Sequence, residues 1–106
     1  MNEKILHLLG IARRAGRLSL GNDAAIESLR KGNARMVLLA ANLSPRTASG
    51  VRQAAEEEEA AVVTCRATMD EISMALGKRT GVVAVNDAGF AEKLLALCKA
   101  QAAGTE

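Results

Sequence analysis

Apolar residues fall along this chain in two rhythms, helically spaced and continuous, and the two alternate from one end to the other. Ile5, Leu8, Leu9 and Ala12 recur at helical spacing, widened by Leu6 and Ile11. They predict a helix over residues 3–15, with Asn2 as its cap and Gly16 as its stop. A short extended piece over residues 18–20 precedes a second helix. That helix opens at Gly21-Asn22, turns Ala25, Ile26 and Leu29 inward, and stops at Gly32. Met36-Val37-Leu38-Leu39-Ala40 is a continuous apolar run of strand length, suited to a strand covered on both faces, as in a largely parallel sheet.

Ser44-Pro45 sets a cap before a first-turn proline and opens a helix over residues 45–58. Residues 61–65 form another short apolar strand. Thr68 with Glu71 three positions later fits a capping box for a helix that ends near Gly77. Residues 81–85 make the last strand, and Asp87 or Asn86 caps a final helix to residue 99. The tail, residues 102–106, is expected to fray. Helices alternating with short strands across short loops predict an α/β chain folded as a three-layer α/β/α sandwich. With 106 residues and no internal linker, residues 1–106 are expected to form one domain.

Composition narrows what such a domain does. Phe90 is the one aromatic residue, so the core must come from Leu, Ile, Val, Met and Ala. The same shortage argues against recognition by base stacking. The net charge of +2 hides a polarity: through Arg52 nine basic residues face three acidic ones, and beyond it five basic face nine acidic. One basic region can steer a polyanion; lysines and arginines that merely solubilise helices fit the same counts. Residues 56–59, all glutamate, read as a solvated face directed away from any RNA, with an acidic patch for a basic partner as the alternative.

The residues that would do chemistry are missing. His7, the single histidine, falls beside the apolar stripe of the first helix. Cys65 reads as a buried small hydrophobe, Cys98 lies in the last helix, and their spacing is not that of a metal site. Gly77-Lys78-Arg79-Thr80-Gly81 lacks the ending of a phosphate loop. Asp70 and Glu71 are adjacent on a helix and do not face each other. No enzyme, catalytic residue, metal or cofactor is expected. No window reaches the roughly 20 apolar residues of a bilayer span and no signal-peptide core precedes the first helix, which predicts a cytoplasmic location and no membrane partner.

What remains is loop chemistry beside helix ends. Gly21 has no side chain, and the helix it opens attracts phosphate at its N-terminus, so an RNA backbone can approach closely there. Arg13, Arg14 and Arg17 lie just before this segment, and Arg30, Lys31 and Arg35 follow at the other end of the helix. A plain helix start flanked by solvent-facing arginines fits the same residues.

These segments, in this order and spacing, resemble the kink-turn-binding ribosomal protein superfamily, and most closely its small bacterial YlxQ-like branch. The likeness rests on Ala15-Gly16-Arg17-Leu18, on Gly21 opening the second helix, and on Lys31-Gly32-Asn33-Ala34-Arg35 before the first long strand. It continues through Ser44-Pro45, residues 68–77 and Val82-Val83-Ala84-Val85. The resemblance implies an α/β/α sandwich with a mixed four-stranded sheet, and an RNA-binding edge made of loops at one end. In the better-studied members the second helix opens with Gly-x-Asn-Glu, whose polar residues read tandem G·A pairs. Here Gly21 is kept, Asp23 falls where the Asn belongs, Ala24 replaces the Glu, and Glu27 stands at a commonly basic position. Ser73 replaces a frequent helix glycine.

An ionised Asp23 only accepts hydrogen bonds and repels phosphate, and Ala24 reads nothing. The residues expected to bind structured RNA, ribosomal or kink-turn-like, are Arg13, Arg14, Arg17, Gly21, Asn22, Asp23, Lys31, Arg66, Lys78 and Arg79. Arg66 and Ala67, before the fourth helix, and residues 78–82, before the last strand, would form the opposite side of the site. The alternative is a protein-interaction module of the same fold that has lost specific kink-turn recognition, with ribosomal or translation proteins as partners.

Overall fold

The computed structural model describes residues 2–102. Along them run α1 (Glu3–Arg14), β1 (Leu18–Leu20), α2 (Asn22–Arg30), β2 (Met36–Leu39), α3 (Pro45–Glu57), β3 (Ala61–Thr64), α4 (Met69–Leu76), β4 (Val82–Val85) and α5 (Ala88–Ala102). Of the tail expected to fray, Ala102 closes α5, and residues 103–106 lie outside the described residues.

Local chemistry explains most helix starts. The Ser44 hydroxyl accepts the N–H of Thr47 at 3.2 Å, with Pro45 in the first turn of α3. Thr68 and Glu71 close the full capping box of α4, and of the two candidate caps of α5 it is Asp87 whose Oδ2 accepts the N–H of Phe90, at 2.9 Å. Asn2 departs from expectation: its side chain makes no cap hydrogen bond to α1. Its Oδ1 instead accepts from Gln101 Nε2 at 2.6 Å, and its Nδ2 points at the Glu71 carboxylate, 3.5 Å away. Gln101 is buried at 1% exposure, so its amide needs polar partners, and Asn2 is one of them.

The four strands form one mixed sheet in the order β1-β4-β2-β3. Only β2 and β3 pair in parallel; β4 runs antiparallel to β1 on one side and to β2 on the other. The sheet is mixed, as the family resemblance implied, and not the largely parallel one that continuous apolar runs also suit. Burial on both faces reflects helices on both faces, whatever the strand direction, and antiparallel β4 is buried throughout just as β2 is.

The two helical layers have separate cores. On one face, Ile5 and Leu9 of α1, Ile72 and Leu76 of α4, and Leu94 of α5 pack on Met36, Leu38, Val83 and Val85. Cys65 and Cys98 are buried in this cluster. On the other face, Ala25 and Leu29 of α2 and Val51, Ala54 and Ala55 of α3 pack on Val37, Leu39, Val82 and Ala84. Alternation along β2 and β4 feeds both cores.

The register fixes which loops meet. Leu20, Leu39 and Thr64 end their strands at the same end of the sheet where Val82 begins β4. This loop end gathers residues 21, 40–44, 65–68 and 77–81. The far end gathers residues 15–17, 31–35, 58–60 and 86–87.

Candidate nucleic-acid interface

The loop end is tied together by its own backbone. The Gly21 N–H donates to Val82 O at 2.8 Å, and the buried Thr80 hydroxyl donates to the same oxygen, also at 2.8 Å. Ala40 N bonds Gly81 O, Ala41 N bonds Ala67 O, and Met69 N bonds Asn42 Oδ1 at 2.8 Å. Gly81 lets these loops close: a Cβ there would stand 2.9 Å from Met69 Cγ and 3.0 Å from Leu43 Cδ1. Ser73, at the helix position where a glycine was the family pattern, receives the Thr80 N–H on its hydroxyl at 3.0 Å and so fastens the turn that carries Lys78 and Arg79.

Gly21 sits at φ +98° and ψ 163°, a region open essentially to glycine alone. It is the residue before α2, and no side chain caps that helix. The first-turn N–H groups of α2 are therefore left without a side-chain acceptor, in a positive end field. Asn22 and Asp23 are exposed in that turn. Lys78 and Arg79 are exposed on the neighbouring loop, which leads into β4 and hence to the Val82 carbonyl that Gly21 bonds. Arg79 approaches Asp70 at 3.7 Å with both side chains well exposed, a pair worth little in water. The guanidinium stays available.

The structure puts Gly21, Asn22, Asp23, Lys78 and Arg79 at one end of the sheet and distributes the other expected residues. Arg66 is exposed at the loop end, but beside β3, the opposite edge of the sheet, three strand spacings or about 14 Å from β1. Its neighbour Ala67 is fully buried and presents no surface. Arg14 folds back over its own helix, its Nη1 3.9 Å from where a Gly10 Cβ would be, on the side where α1 meets Ala75 of α4. Arg13 is half-buried, and its Nη1 is buried with no hydrogen-bond partner among the described residues. Arg17 and Lys31 belong to the far end. Strand direction separates them: β1 carries the chain from Arg17 at one end to Gly21 at the other.

A cleft of about 370 Å³ runs beside α2, lined by Ser19, Asp23, Glu27, Ser28, Lys31 and Asn86 among others. Its floor is a fixed polar chain that the sequence did not announce. Ser28, 5% exposed, donates to Asn86 Oδ1 at 2.6 Å, and Asn86 Nδ2 donates to Ser19 Oγ at 2.9 Å. Glu27 pairs with Lys31 at 3.0 Å, one helical turn on. The glutamates at residues 56–59 are exposed where α3 ends, at the far end and thus remote from Gly21.

The two buried thiols are not set up for covalent chemistry. Burial pushes the Cys98 thiol up to about 12, with Cys65 adding to the shift, and burial also raises Cys65. Both stay protonated and poorly nucleophilic near neutrality. Among the described residues no three His, Cys, Asp or Glu side chains gather to hold a metal ion, and no helix is long and apolar enough to cross a membrane.

Comparison with known proteins places this geometry. The profile of the ribosomal protein L7Ae/L30e/S12e/Gadd45 family matches residues 3–95. The RNA-binding protein YlxQ of Bacillus subtilis is 37% identical over 93 residues, covering 85% of this chain and 90% of its own. Large ribosomal subunit protein eL30 of Candida glabrata is 33% identical over 97 residues, covering 90% and 92%. Among solved structures, a Bacillus halodurans protein of unknown function superposes with a TM-score of 0.83 at 28% identity, covering 89% of this chain and 95% of that one. A 15.5 kD RNA-binding protein of Giardia lamblia shares the fold, at a TM-score of 0.77 and 16% identity over 93% and 88% of the two chains. The chain belongs to the ribosomal protein L7Ae/L30e/S12e/Gadd45 family, a non-catalytic family known for binding structured RNA, and is related to the bacterial YlxQ-like proteins.

Proposed function

We propose that this protein binds structured RNA, of ribosomal or kink-turn-like type, through the loop end. The observation that carries the reading is the junction at Val82 O, which fixes the uncapped start of α2 beside the loop bearing Lys78 and Arg79. Backbone N–H groups at a helix start and two exposed cations alongside suit a phosphate backbone that turns sharply. Gly21 permits close approach, Asn22 offers an amide, and Asp23 can accept from a guanine amino group. Arg66 reaches the same RNA only if it spans the sheet, and Arg14 only from the α1 side. This reading needs no cofactor and goes with a cytoplasmic protein working among ribosomal RNA and translation partners.

The departures at Asp23, Ala24 and Glu27 favour a second reading, a protein-docking module that has given up kink-turn specificity. Two carboxylates on the exposed side of α2 repel phosphate, and forfeiting one good base contact costs about 1–3 kcal/mol. A salt-titrated mobility shift on a standard kink-turn and a matched straight duplex separates the readings. Preference for the kink-turn that weakens with salt is the expected result. Equal weak binding to both rejects kink-turn preference and leaves a non-specific basic surface or another RNA target, and no binding to either makes the protein-docking reading the leading one.

A further inference from the structure

The far end of the sheet carries its own group of cations, set around the end of β4. Arg17 O accepts the Asn86 N–H at 2.8 Å, and the Arg35 N–H donates to Val85 O at 2.8 Å, so these two arginines flank the last residues of β4 from the β1 and β2 sides. Two strand spacings put their backbones about 10 Å apart. Arg30 and Lys31 end α2 at the same place, and the turn after them folds back through Asn33 N and Ala34 N onto Ser28 O, which keeps Lys31 and Arg35 close.

All four side chains are exposed, and among the described residues only Lys31 has an ion-pair partner, Glu27. The acids facing this group are Glu27, the half-buried Asp87, which is engaged in capping α5, and the glutamates of residues 56–59 on the β3 side. Those glutamates restrict a polyanion to the β1–β4–β2 half. Three unpaired arginines on one small surface repel one another and are relieved by phosphate, which the guanidinium fork grips in two places at once.

This group is separate from the loop end. Nine residues of α2, about 14 Å of helix, lie between Gly21 and Lys31, and the exposed carboxylates of Asp23 and Glu27 stand along that path. A phosphate backbone crossing directly from one end to the other along α2 meets both negative charges.

We propose that Arg17, Arg30, Lys31 and Arg35 form a second RNA-contacting surface, so that one molecule of this protein bridges two RNA segments, one at each end of its sheet. The bridging part rests on the loop-end reading given above. The far end contributes phosphate contacts through its guanidinium and ammonium groups.

The test is a capture assay: a surface-bound kink-turn hairpin, a second labelled RNA duplex in solution, and protein added between them. The wild type is compared with Arg30→Glu/Arg35→Glu and with Lys78→Glu/Arg79→Glu, and capture is normalised to protein held by the first RNA. The expected result is that each double variant lowers normalised capture at least about tenfold, while sedimentation of the wild type without RNA gives a monomer. Capture undiminished in Arg30→Glu/Arg35→Glu overturns the proposal, as it would if two loop ends of a dimer did the bridging. Capture abolished only in that variant and intact in Lys78→Glu/Arg79→Glu sustains the far-end surface and rejects the loop-end reading instead. Circular dichroism of each variant confirms that the fold is retained; all four substituted side chains are exposed.

Discussion

Gly21 and Thr80 meet at a single acceptor: the backbone N–H of the one and the hydroxyl of the other both reach Val82 O at 2.8 Å. The start of α2 and the loop carrying Lys78 and Arg79 are held in one geometry by that oxygen. Thr80→Val removes one of the two donors from a site only 3% exposed and should lower stability by about 0.5–1.5 kcal/mol. Gly21→Ala forces an L side chain into the glycine-only region at φ +98° and should cost about 1–3 kcal/mol. Urea unfolding of both variants checks the magnitudes. RNA affinity that survives Gly21→Ala unchanged would show that the aim of the α2 start is irrelevant to binding.

Lys78 and Arg79 are exposed and, apart from the weak Asp70 pairing, uncommitted. Reversing both to Glu should weaken RNA binding at least about tenfold at low salt and leave the thermal midpoint within a few degrees. Removing one cation from a phosphate lowers the slope of log affinity against log salt by about 0.7–0.9, so removing two shows as a change of about 1.4–1.8. Unaltered affinity and slope in the folded double variant remove these residues from the interface.

The chain Ser28–Asn86–Ser19 satisfies a hydroxyl that solvent hardly reaches. Asn86→Ala strips both partners at once and leaves the Ser28 hydroxyl wanting an acceptor, at a cost of about 1–3 kcal/mol. Equilibrium denaturation measures it. A loss under about 0.3 kcal/mol would mean that the serines find other partners.

Acid should loosen α4 before it unfolds the rest. The Thr68 N–H first, and then the Asn2 amide, hold the Glu71 carboxyl below the usual carboxylate range. A carboxyl with a lowered native pKa stabilises the fold above its unfolded value, and that contribution disappears as pH falls through the native value. Opening of the first turn of α4, read as amide exchange relative to the intrinsic rate at each pH, should rise selectively from about pH 6 to about pH 2. Glu71→Gln should flatten this dependence; an equal rise in the variant assigns it to another group.

The parts of the fold that were legible in the sequence are those decided within a few residues. Ser44-Pro45 and the Thr68–Glu71 pair act over three positions, and the structure has both. Asn2 looked like a cap because the local signal is the same whether or not a better partner exists; Glu71 and Gln101, 69 and 99 positions away, supplied one. Strand order was equally hidden, and the mixed sheet followed from the family resemblance and not from the apolar pattern. The apolar runs of β2 and β4 record burial on both faces and carry no mark of their antiparallel pairing.

For the candidate site the division is similar. Gly21 was visible because only glycine serves that backbone, whereas grouping the arginines needed the sheet. Arg17 and Gly21 are four positions apart in sequence and lie at opposite ends of β1, so proximity along the chain misled. Thr80 and Asn42, which help fix the loop end, carried no signal beyond being small polar residues beside turns, and Ser73 stood out only as a departure from a frequent helix glycine.

The 2.6 Å bond between Asn2 and Gln101 has a practical side. It sets the starts and ends of the helical path side by side, next to the first turn of α4 and to the Arg66 N–H, which Gln101 Oε1 also accepts. A short linker could join residue 2 to residue 102, and the ring so formed could be reopened between Glu59 and Ala60, where Glu59 sits at φ +56° and cutting relieves a strained residue. Such a permuted chain would carry an affinity tag or a fluorophore at the far end, clear of Gly21 and Lys78. Tags attached at residue 2 or residue 102 would instead start near Arg66 and crowd the loop end, so a permutant is the better vehicle for weighing RNA contacts at that surface.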